Sequence, residues 1–66
     1  MTTTRRVRDL VRERDITLHR LSILAGLNYS TLLTTERRRG EYSMDTIYRI
    51  CAALDISVAE FFDAWR

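Results

Sequence analysis

Sixty-six residues make at most one domain, expected to span residues 1–66, and leave no room for an enclosed catalytic cleft or a separate ligand domain. With 45% hydrophobic and 30% charged residues, the composition is that of a soluble globular protein and excludes a disordered tail. The net charge of +2 is split: residues 1–40 carry nine Arg against Asp9, Glu13, Asp15 and Glu36, a balance of +5, while residues 41–66 have a balance of −3, a division suited to a polyanion on one face only.

The N-terminal run Met1-Thr2-Thr3-Thr4-Arg5-Arg6 is polar and lacks the apolar stretch of a signal peptide. A first helix is expected over about 5–14, with Val7, Leu10 and Val11 as its apolar stripe. Arg5, Arg6 and Arg8 read either as a basic arm or patch, or as a frayed terminus, which is the default. From there every helix start carries the same device, a polar cap flanked by apolar residues that staple across it. Ile16-Thr17 with Leu21 opens a helix over 18–25, with Leu21, Leu24 and Ala25 inward and Gly26 at the left-handed position that closes it. Leu27-Asn28 with Leu32 opens a third helix over 29–37. Tyr42-Ser43 with Ile47 opens a fourth over 44–54, burying Ile47, Ile50, Cys51 and Leu54. Ile56-Ser57 with Phe61 opens a fifth over 58–65, where Glu60 completes a capping box and Phe61, Phe62 and Trp65 are available for burial. No stretch alternates with period two, and none approaches the roughly 20 apolar residues of a bilayer span. The expected fold class is all-α, a compact five-helix bundle.

Residues Thr17 to Arg37 carry the functional signal. A short helix, a Gly26-Leu27-Asn28 turn and a second short helix make a helix-turn-helix unit, whose second helix can enter the major groove of DNA. On that helix Ser30 and Thr34 can hydrogen-bond base edges, and Leu33 and the Tyr29 ring can meet thymine methyl groups. Arg37, Arg38 and Arg39 follow in a loop and can supply salt-dependent, sequence-blind affinity for phosphates. The plainer alternative is a solvated helix face with one exposed Leu, followed by a solvated charge run.

The run Leu21-Ser22-Ile23-Leu24-Ala25-Gly26-Leu27-Asn28-Tyr29-Ser30-Thr31-Leu32 resembles the core of the Cro/C1-type (Xre-family) helix-turn-helix domain. The resemblance continues through Glu36-Arg37 and returns in residues 43–47 and 53–58. It implies a lambda-repressor-like five-helix fold that binds double-stranded operator DNA of pseudo-palindromic sequence, usually as a homodimer. By position it places Tyr29, Ser30, Leu33 and Thr34 against bases. It places Thr17, Asn28, Thr31, Arg37, Arg38, Arg39, Tyr42 and Ser43 near the sugar-phosphate backbone. Leu18, Ser22, Thr35, Arg38 and Tyr42 depart from the family pattern, which there favours Gln, Ala, an apolar residue, Gly and Pro respectively.

The remaining candidates are weaker. His19 is expected to be exposed at the start of the second helix and carries no metal or catalytic reading. Cys51, the one cysteine, reads as core and suits a reducing cytoplasm, in a bacterial or phage-encoded protein acting at the nucleoid. Glu36 reads as structural, holding an Arg or a backbone N–H. Phe62 and Trp65, on the acidic end, are candidate homodimer interface residues. No cofactor, metal or enzymatic constellation is expected. The leading reading is a transcriptional regulator, a repressor in the first instance. The alternative is an antitoxin-like or anti-repressor interaction module on the same fold.

Overall fold

The computed structural model describes every residue except Ala64 and Arg66. Its elements in order are α1 (Thr3–Glu13), α2 (Leu18–Ala25), α3 (Tyr29–Arg37), α4 (Met44–Leu54) and α5 (Val58–Phe62). The fold is all-helical, as the capping pattern predicts. α2 occupies the centre and packs against α1, α3 and α4, while α5 closes over α4. Val7, Leu10, Leu21, Leu32, Ile47, Ile50, Cys51, Leu54 and Phe61 form one buried cluster. Among the described residues no helix is long and apolar enough to cross a membrane.

Each predicted cap is present. The side-chain oxygens of Thr17, Asn28, Ser43 and Ser57 accept from the N–H groups of Arg20, Thr31, Thr46 and Glu60. Glu60 Oε1 in turn accepts from the Ser57 N–H, completing the capping box. α1 begins two residues earlier than expected. Thr2 is its N-cap, accepting from Arg5 N–H at 3.1 Å, and Thr3 and Thr4 are buried in its first turn.

The other ends of α1, α2, α3 and α4 share a second device. A residue in the left-handed region follows each helix: Asp15, Gly26, Arg39 and Asp55, with φ between 52° and 65°. The next N–H then reaches back to a carbonyl inside the helix, from Ile16 to Val11, Leu27 to Ser22, Gly40 to Thr35 and Ile56 to Cys51. This is the Schellman closure. Three of the four connections then run straight into the next cap, which keeps them short.

Two expectations fail. Leu24 is 46% exposed, because the inward face of α2 runs through Leu18, Leu21, Ser22 and Ala25 instead. Small Ser22 sits on that face at 3% exposure, its hydroxyl donated to His19 O at 2.6 Å. The regular α5 ends at Phe62, short of 65. Beyond it the bonds tighten to the i−3 pattern, Asp63 N–H to Glu60 O and Trp65 N–H to Phe62 O.

Candidate nucleic-acid interface

The turn between α2 and α3 is fixed by Gly26 at φ 65°, ψ 36°. A Cβ there would meet nothing within 4 Å, so backbone conformation, not space, requires the glycine. Asn28 caps α3 immediately afterwards, accepting from Thr31 N–H at 3.3 Å. The only fully buried residue of α3 is Leu32, at 1% exposure. It anchors the helix by one side and leaves the other outward. Helical spacing puts Tyr29, Ser30, Leu33, Thr34 and Arg37 on that outward side. Tyr29, Ser30, Thr34 and Arg37 are exposed and Leu33 is half-buried. The Tyr29 ring meets His19 of α2 edge-on, with centroids 5.0 Å apart.

The residues proposed to lie near phosphates fall into two groups. Asn28, Thr31, Tyr42 and Ser43 line one groove of about 360 Å³ between the starts of α3 and α4. Arg37, Arg38 and Arg39 are exposed at the far end of α3. Thr17 stands apart from the groove, capping α2 with its side-chain oxygen. Tyr42 takes a different part from the one its position suggests. Its side chain is only 8% exposed and belongs to the core. Its hydroxyl donates to Glu36 Oε2 at 2.7 Å. An aromatic ring that fills the core and ties off a carboxylate has no free donor to offer a phosphate.

Glu36 is the centre of a small polar network that sequence reading found only in outline. Besides the Tyr42 hydroxyl it holds Arg8 of α1, with Oε1 3.6 Å from the guanidinium. Burial pushes the Glu36 carboxyl above its ordinary range, while Tyr42 and Arg8 pull the other way. The Tyr42 phenol is raised as well, by burial first, then by its hydrogen bond to Glu36 and the charge there. A neighbouring knot joins the start of α1 to the loop after α3. Glu41 Oε1 accepts from both the N–H and the hydroxyl of Thr3, each at 2.7 Å. The Thr3 oxygen in turn accepts from Tyr42 N–H at 2.7 Å. These bonds hold Glu41 below the usual carboxylate range, the Thr3 hydroxyl contributing most. The N-terminus is therefore anchored, and the arginines of α1 divide. Arg6 donates to the carbonyls of Phe61 at 2.6 Å and Glu60 at 2.9 Å, sealing the end of α5. Arg8 serves Glu36, and Arg5 is exposed. Only partners found across the fold decide which is which.

At the acidic end, Phe62 is half-buried against the core and Trp65 is 36% exposed. Their ring centroids lie 5.0 Å apart, and Trp65 also stacks on Phe61 at 6.0 Å.

No match to the chain was found among curated proteins or among solved structures. Residues 6–64 match the family model for the Cro/C1-type HTH DNA-binding domain, a span that takes in all the helices α2 to α5 and most of α1. With its family model matched over nearly the whole chain, the chain belongs to the Cro/C1-type HTH DNA-binding domain family.

Proposed function

We propose that this domain is a sequence-specific transcriptional regulator, in the first instance a repressor, that inserts α3 into the major groove of a pseudo-palindromic operator as a homodimer. The observation that carries the reading is the division of α3. Leu32 is its one fully buried residue, and polar Ser30 and Thr34 beside apolar Tyr29 and Leu33 make a mixed outward face. Such a face suits base edges that offer both hydrogen-bonding groups and methyls. Arg37, Arg38 and Arg39 then grip phosphates beyond the groove, with Asn28, Thr31, Thr17 and Ser43 steadying the backbone at other points. Occupancy of the operator needs no cofactor to block polymerase. Trp65 and Phe62 supply an apolar surface for the second copy, on the end of the molecule whose negative balance keeps it off DNA.

Selection of bound duplexes from a random library tests this directly. The expected result is a consensus with two half-sites about one helical turn apart. Thr34→Ala and Ser30→Ala should alter base preference at defined positions, with about 1–3 kcal/mol of discrimination lost at each. Replacing Arg37–Arg39 by Ala should weaken binding to every duplex and flatten its salt dependence. Absence of salt-dependent binding to any duplex would overturn the proposal.

A second reading is favoured by one observation. Ile23 (57%) and Leu24 (46%) on α2, and Tyr48 (57%) on α4, are exposed on elements that pack together. An apolar surface of that kind fits a protein partner, as in an antitoxin-like or anti-repressor module. A stable heterocomplex formed without any DNA affinity would favour it.

A further inference from the structure

We infer that the cleft between the start of α1 and the start of the α3–α4 connection is a second phosphate-binding site, built by Arg5, Arg8 and Arg39. The cleft measures about 440 Å³ and is lined by these three arginines with Met1, Thr2 and Thr4. Three arginines from two separate elements line one concavity. Each is a permanent cation with a planar fork of donors that matches a phosphate oxygen pair.

Two acids nearby, Glu36 and Glu41, are already engaged, and Asp9, one turn along α1 from Arg5, forms no ion pair with it. Glu36 accepts the Tyr42 hydroxyl and faces Arg8 from beneath. Glu41 is bound by Thr3, where it also meets the positive end of α1. Arg5 and Arg39 make no ion pair with any acid among the described residues. The cleft thus holds two uncompensated guanidiniums and a third that Glu36 orients. The Thr2 and Thr4 hydroxyls on its wall hydrogen-bond each other at 3.1 Å, and Thr4 is buried, so the arginines carry the site. The backbone at Arg39 is itself held at φ 52°, which turns the chain sharply at this spot.

The shared ligand chemistry is a phosphate oxyanion, which can come from the DNA backbone or from a free phosphoryl compound. The DNA source rests on the function proposed above; the site itself does not. If the source is DNA, this cleft lies outside the groove between α3 and α4 and adds a contact from α1 to those of the recognition helix.

Two measurements on the whole chain test the site. In the first, inorganic pyrophosphate is titrated into isotope-labelled protein at constant ionic strength, without DNA. Amide shifts should concentrate at residues 2–8 and 39, and Arg5→Gln with Arg39→Gly should weaken the fitted affinity at least tenfold. Glycine at 39 keeps the left-handed backbone while removing the charge. Arg49→Gln, in the exposed pair with Asp45, serves as the control and should change nothing. Circular dichroism checks that each variant folds. In the second, duplex binding by Arg5→Gln is followed against salt. A slope smaller by about one assigns the phosphate to DNA. An unchanged slope with lost pyrophosphate binding assigns it to a free phosphoryl ligand. Shifts spread over all arginines, or a pyrophosphate affinity indifferent to Arg5 and Arg39, would overturn the site even if Thr34 variants still alter operator choice. Conversely, pyrophosphate binding by a protein that binds no duplex would leave the site standing and remove the DNA reading.

Discussion

Thr3 works three ways at once: its N–H and hydroxyl go to Glu41, and its oxygen accepts from Tyr42. Tyr42 then passes the connection to Glu36, and Glu36 to Arg8, so a chain of polar contacts runs from the start of α1 to the end of α3 and back. Loss of the Tyr42 hydroxyl would leave a half-buried carboxylate short of a donor. Tyr42→Phe should therefore lower stability by about 1–2 kcal/mol, read as a lower urea midpoint with an unchanged slope. The Glu41 carboxyl is depressed in the folded protein, so its contribution is present above pH 4.5, the unfolded value, and fades as pH falls through the lower folded value. Glu41→Gln should destabilise at pH 7 and much less at pH 3, in unfolding curves run at both. Glu36 has the opposite sign: its raised carboxyl makes stability fall as pH climbs from 4.5 through the folded value, so the variant isolates the Glu41 part. That Glu36 holds an arginine is legible in the sequence in outline, but the Thr3 links are not. Their partners are 38 or 39 residues apart for Thr3 with Glu41 and Tyr42, and only the folded chain brings them together.

At the scale of the helix, starts and stops differ in how openly they are written. Starts are announced by side chains, because Thr, Asn and Ser caps have oxygens that bond the first turn. Stops depend on a backbone region that glycine alone advertises. Gly26 is readable, whereas Asp15, Arg39 and Asp55 occupy the same left-handed region unannounced. A side chain there costs roughly 1 kcal/mol. Gly26→Ala should accordingly lose about 1 kcal/mol despite open space around it, and Asp15→Gly should gain about 0.5 kcal/mol, both measurable by chemical denaturation. The misplaced start of α1 has a related origin. Thr2, Thr3 and Thr4 are all competent caps, and the choice among them is made by Glu41, far along the chain. Likewise Leu24 is as apolar as Leu21. It is turned outward because the inward face of α2 is centred between Leu21 and Ser22, and helical spacing puts Leu24 about 110° away from that centre.

The molecule measures 30 × 24 × 23 Å, and α3 is the one helix proposed to enter a major groove. Successive major grooves on one side of a duplex lie about 34 Å apart, further than one copy can bridge. Binding through two half-sites therefore needs two chains, and half-saturation of an operator should depend on protein concentration more steeply than first order. Trp65→Ala should push that midpoint to higher concentration without changing which bases are preferred, as gel shifts on consensus and altered duplexes would register. The charge split visible in the sequence persists in three dimensions only in part. Arg6 and Arg14 turn inward to the carbonyls of α5 and α4, so not every arginine of the basic half is available to a polyanion.

Cys51 lies in the core at 3% exposure, and it is the chain's only thiol. Burial raises its pKa, so in the closed fold it is both shielded and largely protonated. An alkylating reagent can then react only when α4 lifts away. Labelling kinetics at this one atom would time that opening directly, with no foreign probe attached. Slower labelling in the presence of duplex would show how far a ligand on the outer face of α3 steadies the interior behind it.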